Sequence, residues 1–184
     1  LLDDVSIVEE EDRSTNNKNR REKESPVAQE LLEAYNEYKE QEVQDKINAL
    51  ASLRLKVQEF ENKALTRLEE NYKRRLLRGM SFSYDGRKIE TDGLLVFEAT
   101  LIVIEVKLVT KVNSRIVNQI VRMNKYLQEN RNEISHQLNT RIIETRGVLI
   151  VPEGTQFIGS SRQQLESSMV DVLYFNANTN EMHS

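Results

Sequence analysis

The chain has 184 residues, a formal net charge of −4 and no cysteine. That charge, taken alone, argues against a nucleic-acid binder. The lack of cysteine excludes disulfides and thiolate zinc sites and fits a reducing compartment. No apolar run reaches the roughly 18–20 residues of a membrane helix, and no signal-peptide pattern opens the chain.

The expected partner list therefore contains no membrane, and the expected location is intracellular, in cytoplasm and nucleoid or in a nucleus. Leu1 stands where an initiator Met would, which suggests a fragment or a processed product. The charge is unevenly spread. Residues 1–72 carry 11 Lys and Arg against 18 Asp and Glu, residues 73–125 carry 11 against 5, and residues 126–184 carry 4 against 7. The middle third is basic, and local charge steers a polyanion better than the global sum does.

Residues 1–25 mix acidic and basic runs with almost no aromatic content and read as a flexible tail. Ser25-Pro26 has the form of a helix start. From Val27 to about Leu77 there is neither Gly nor Pro. Apolar residues recur in steps of three and four, including Leu31, Tyr35, Tyr38, Val43, Ile47, Leu50, Leu53, Val57, Phe60, Ala64 and Leu68. The spacing predicts a long helix, near-heptad over 43–64. Residues 26–64 are its free part, a candidate coiled-coil segment that would make the protein a homo-oligomer, dimer or higher. Two shorter helices folded back on the domain are the other reading.

Gly79 marks the end of the helical pattern. "SFSYDGRKIETDGLLVF" then reads as a hairpin about Asp85-Gly86. "EAT" is a second turn, and "LIVIEVKLV" a third strand apolar enough to be covered on both faces. "NSRIVNQIVRMNKYLQEN" is a helix capped by Asn113 or Ser114. Residues 131–145 read as a loop with a short helix, "RGVLIVP" as a strand, "SRQQLESSM" as a short helix and "VDVLYF" as a last strand. The polar residues 176–184 read as a disordered tail. The fold class is α/β, with one mixed β-sheet and helices on its faces.

Chemistry concentrates in "ETDGLLVFEATLIVIEVK", residues 90–107. Residues two apart on a strand share a face, so Glu105 and Lys107 point one way and Ile102, Ile104 and Val106 the other, into the core. A turn near 98–100 pairs positions whose numbers sum to about 198, which brings Asp92 opposite residues 105–107. Two carboxylates and one ammonium converge. Adjacent carboxylates in a dry site repel each other, and one lysine offsets only one of them. Mg²⁺ or Mn²⁺ would offset both, held by Asp92, Glu105 and the Val106 carbonyl. A metal with a lysine suits phosphate-ester hydrolysis.

These residues resemble the PD-(D/E)XK nuclease superfamily, whose restriction-endonuclease-like core has the same αβββαβ order. Asp92 matches the family's first acid and Glu105-Val106-Lys107 its (D/E)XK motif, over roughly residues 65–175. Thr91 stands where the family's proline would be. The resemblance implies a Mg²⁺- or Mn²⁺-dependent nuclease, an endonuclease acting on DNA. Asp92 and Glu105 would be ligands, Lys107 the residue that orients the attacking water, and a glutamate of the first helix an auxiliary. Glu69 is the best match for that glutamate and Glu70 the alternative.

RecB-like and Holliday-junction-resolvase-like members add Gln and then Tyr four residues later on the next helix. Here Gln119 stands seven residues before Tyr126, with Arg122 four before it, so Gln119 is the candidate auxiliary. Arg87, Lys88, Lys111, Arg115 and Arg122 are the candidate phosphate contacts. A nuclease fold kept as an interaction or oligomerisation module without turnover is the alternative function.

Overall fold

The structure, a computed structural model, describes residues 26–84 and 87–184. The expected tail over 1–25 and the Asp85-Gly86 turn lie outside the described residues. The chain divides into two units, residues 1–49 and 50–184.

The described part of the first unit is helical. It belongs to α1, Pro26–Tyr72, one continuous helix rather than two folded back. Straight-chain residues, with no Gly and no Pro after Pro26, give it high propensity. Side chains three and four apart support it: Lys46 and Lys39 hold Glu42 at 2.8 and 3.1 Å, and Gln41 holds Asp45 at 2.8 Å. Each such pair contributes about 0.2–0.5 kcal/mol.

In the second unit α1 changes character, and Phe60, Ala64, Leu65 and Leu68 are buried. The helix ends seven residues before the expected breaker Gly79, with Lys73 at φ 53°. The reason lies in Glu69, whose Oε1 accepts the N–H of Leu76 at 2.9 Å and turns the chain into β1 (Leu77–Tyr84). Gly79 falls inside that strand.

β1, β2 (Arg87–Phe97) and β3 (Thr100–Val106) form an antiparallel meander, with Tyr84 opposite Arg87 and Phe97 opposite Thr100. The second turn, Glu98-Ala99, has both residues at positive φ, 48° and 66°, as a two-residue hairpin loop requires. Helices α2 (Ser114–Glu129) and α3 (Arg131–Gln137) cross over to β5 (Glu144–Pro152), parallel to β3. Asn113 caps α2 by accepting the N–H groups of Arg115 and Ile116. Helix α4 (Ser161–Ser167) then leads to β7 (Val170–Asn176), parallel to β5.

Three strands are additional to the expectation. β4 (Lys111–Val112) and β6 (Gln156–Phe157) pair as a small parallel sheet of their own. The C-terminal residues expected to be disordered form β8 (Glu181–His183), antiparallel to β7. The Asn176 Oδ1 accepts the N–H groups of Asn178 and Thr179, and this Asx turn folds the polar tail back as an edge strand. The six-stranded sheet has the order β1-β2-β3-β5-β7-β8.

The sheet is covered on both faces. Phe60, Ala64, Leu65 and Leu68 of α1 pack with Leu95, Ile102, Ile104, Val106, Val148, Ile150 and Phe175. On the other face Met123 and Leu127 of α2 pack with Leu94, Leu101 and Val103, and Val117 and Ile120 with Leu149 and Val172. Each fully buried aliphatic side chain contributes about 1.5–3 kcal/mol. All six residues Leu101–Val106 are buried, so β3 is the central strand that its composition predicted.

Candidate functional site

The β2–β3 ladder runs from Phe97–Thr100 to Gly93–Ile104. The register sum is therefore 197, one below the expectation, and one step further it would place Asp92 opposite Glu105. That step is not a main-chain pair. The Thr91 hydroxyl lies 2.9 Å from the Ile104 carbonyl and 3.0 Å from that of Gly93. Asp92 Oδ2 accepts the N–H of Val106 at 2.7 Å. Two side chains thus take over from backbone pairing at the end of the ladder, and Asp92 is fixed beside the carboxyl-terminal end of β3.

Glu105 is 1 % exposed. Its Oε1 accepts a hydrogen bond from the Lys107 ammonium and another from Gln119 Nε2 at 2.5 Å. Its Oε2 is buried and has no hydrogen-bond partner among the described residues. Lys107 is held at its backbone, where its N–H donates to the Ile150 carbonyl at 2.9 Å. Gln119, on the exposed face of α2, reaches down to Glu105. Asp92, Glu105, Lys107 and Gln119 are therefore brought together as the sequence predicted.

Burial pushes the Glu105 carboxyl up to about 7, and the negative charge of Asp92 adds to the rise, against the Lys107 ammonium. Burial also raises Asp92, opposed by the Val106 N–H and by Lys107. A third acid joins them. Glu61 of α1 is raised by burial and then by the charge of Asp92, while Lys107 and Arg78 act the other way.

Glu61 is the residue that sequence reasoning missed. The glutamate expected from the first helix was Glu69, with Glu70 second, and the structure corrects both. Glu69 Oε1 is bonded to Leu76 N–H and its Oε2 to Arg78 at 2.7 Å. Burial presses Glu69 upward, but those donors outweigh it and hold the carboxyl below its ordinary value. Glu69 closes the α1–β1 connection. Glu70 is exposed and pairs with Arg67 at 3.0 Å. Glu61 stands four and seven residues before the buried Leu65 and Leu68, so the helical period, extended one more turn, would have found it.

Of the expected phosphate contacts, Arg115 and Arg122 are exposed on α2, four residues before and three after Gln119. They share its helical face. Lys111 is exposed on β4. Lys88 is exposed and pairs with Glu90 at 2.5 Å, which offsets its charge. Arg87 pairs through its backbone with Tyr84, and its side chain lies outside the described residues.

Among the described residues, no three His, Cys, Asp or Glu side chains form a metal-ligand group, and no helix is long and apolar enough to cross a membrane. The donor chemistry nevertheless suits a hard divalent cation. Asp92, the orphaned Oε2 of Glu105 and a backbone carbonyl are oxygen donors, and Mg²⁺ usually keeps several of its waters. Comparison with family models, with curated proteins and with solved structures gives no match for this chain.

Proposed function

We propose that the chain is a PD-(D/E)XK-type nuclease of the RecB-like or Holliday-junction-resolvase-like branch, which hydrolyses phosphodiester bonds of DNA with Mg²⁺ or Mn²⁺. The observation that carries this reading is the Glu105 carboxylate. It is buried, one oxygen has no partner among the described residues, and it lies beside a second carboxylate. A buried acid with an unsatisfied oxygen is costly in isolation, and a cation removes the cost.

Asp92, Glu105 and the Val106 carbonyl would hold the ion. Bound there, Mg²⁺ would polarise a phosphoryl oxygen and acidify a water. Lys107, tethered by its own N–H to Ile150, has only its side chain free to swing from Glu105 toward a phosphate or an attacking water. The Gln119 amide holds Glu105 Oε1 in place while the ammonium moves. Arg115 and Arg122 flank Gln119 and offer positive charge to the phosphate backbone on either side, without reading base sequence.

Lys107 resting on Glu105, with Asp92 already accepting the Val106 N–H, also favours a second reading. In it these groups only satisfy one another, and the fold serves as an interaction module without turnover. Nicking of supercoiled DNA with Mg²⁺ separates the two. The nuclease reading expects Lys107→Ala and Asp92→Ala each to lower the rate by at least about 10²-fold. Equal nicking by all three proteins rejects the site, and no nicking by the wild type with Mg²⁺ or Mn²⁺ supports the module.

A further inference from the structure

The part of α1 before Phe60 carries large apolar side chains that no described residue covers: Leu31 is 67 % exposed, Tyr38 65 %, Leu50 59 % and Leu53 54 %. A row of this length has no reason to remain in water. The charges along the same helix are segregated. Residues 26–45 carry Glu30, Glu33, Glu37, Glu40, Glu42 and Asp45 against Lys39, whereas residues 46–57 carry Lys46, Arg54 and Lys56 and no acid. One end is acidic and the other basic.

We infer that α1 pairs with α1 of a second copy of this chain in antiparallel orientation, forming a two-stranded coiled coil over residues 27–57. A parallel pair would set acidic end against acidic end. An antiparallel pair sets each acidic end on a basic one, and charges flanking an apolar seam decide partner orientation. The apolar positions fit one register to within one residue. With the two-fold axis near residue 42, Val27 of one copy meets Val57 of the other, Leu31 meets Leu53, Tyr35 meets Leu50, and Tyr38 meets Ile47. That register brings Glu30 to Arg54 and Glu37 to within one residue of Lys46. The like-charged pair it creates at the axis, Glu42 with Glu42, is offset in advance, because Lys39 and Lys46 already hold each Glu42. The inference stands independently of the nuclease reading.

The chain has no cysteine, so one introduced cysteine gives one spin label per chain. Gln29→Cys and Gln44→Cys lie away from the seam. At 1.5 Å per residue the antiparallel pair expects about 40 Å between labels at position 29, and under about 20 Å at position 44. Light scattering expects twice the monomer mass of 21.4 kDa. Short distances at both positions mean a parallel pair, and no dipolar signal means no pair; either overturns the inference. A second arm tests the register. Reversing Glu30 and Glu37 to Lys should weaken the dimer at least about 10-fold, and adding Lys46→Glu and Arg54→Glu should restore it. Circular dichroism of these variants checks that the helix persists. A dimer indifferent to both sets refutes the charge pairing.

Discussion

Replacing Glu105 with Gln removes a charge that the fold disfavours. Burial pushes the carboxyl up to about 7 in the folded protein, from an ordinary value of 4.5. Because the folded value is the higher one, the native state holds this proton more tightly. Stability from this group is therefore greatest below about pH 4.5 and is lost as pH rises toward and through 7. Between pH 5 and pH 8 the loss comes to roughly 2.5 kcal/mol. Glutamine does not titrate, and its carbonyl can still accept from Lys107 or Gln119.

The assay is urea unfolding of both proteins in EDTA at the two pH values. The difference in unfolding free energy, variant minus wild type, should move by roughly 2.5 kcal/mol in the variant's favour between pH 5 and pH 8. Asp92 and Glu61 are raised as well and remain in both proteins, so they cancel in this difference to first order. A difference that does not change with pH would refute the claim that burial strains Glu105. A variant that loses ground at pH 8 would show that the Lys107 pair outweighs the burial.

Mg²⁺ at ten times its dissociation constant should raise wild-type stability by about 1.4 kcal/mol at pH 8 and leave Asp92→Ala nearly unmoved, as read by urea unfolding with and without the metal; equal effects on both proteins would place the ion elsewhere. Gly147→Ala should destabilise by about 1–3 kcal/mol in thermal unfolding, since an added Cβ would lie 2.8 Å from Val170 Cγ2 in the β5–β7 contact. A neutral result would show that β7 can shift to make room.

The elements that announce themselves by pattern are those the sequence made legible. The unbroken apolar run of β3 follows from cover on both faces, and Asn113 before the period of α2 follows from an N-cap. Site residues read equally well where strand geometry decides them, because Asp92 and Glu105 meet by counting from the Glu98-Ala99 turn. What escaped depends on tertiary partners. Glu69 lies on the stripe toward the sheet, but Leu76 N–H and Arg78 claim it locally, leaving Glu61 as the α1 acid that feels the charge of Asp92. β8 escaped because its neighbour Asn176 folds the chain back through side-chain hydrogen bonds, and polar composition gives no sign of that. β4 and β6 are two residues each, too short for any period to register.

Central placement of β3 has a consequence for thermal behaviour. A strand shielded above, below and along both edges opens only when the whole sheet does. Groups mounted on it would keep their spacing up to the melting transition instead of drifting apart beforehand. The amide of Val106 is the exception built into that strand: a carboxylate holds it in place of a main-chain partner, so its proton should trade with solvent sooner than those of its neighbours.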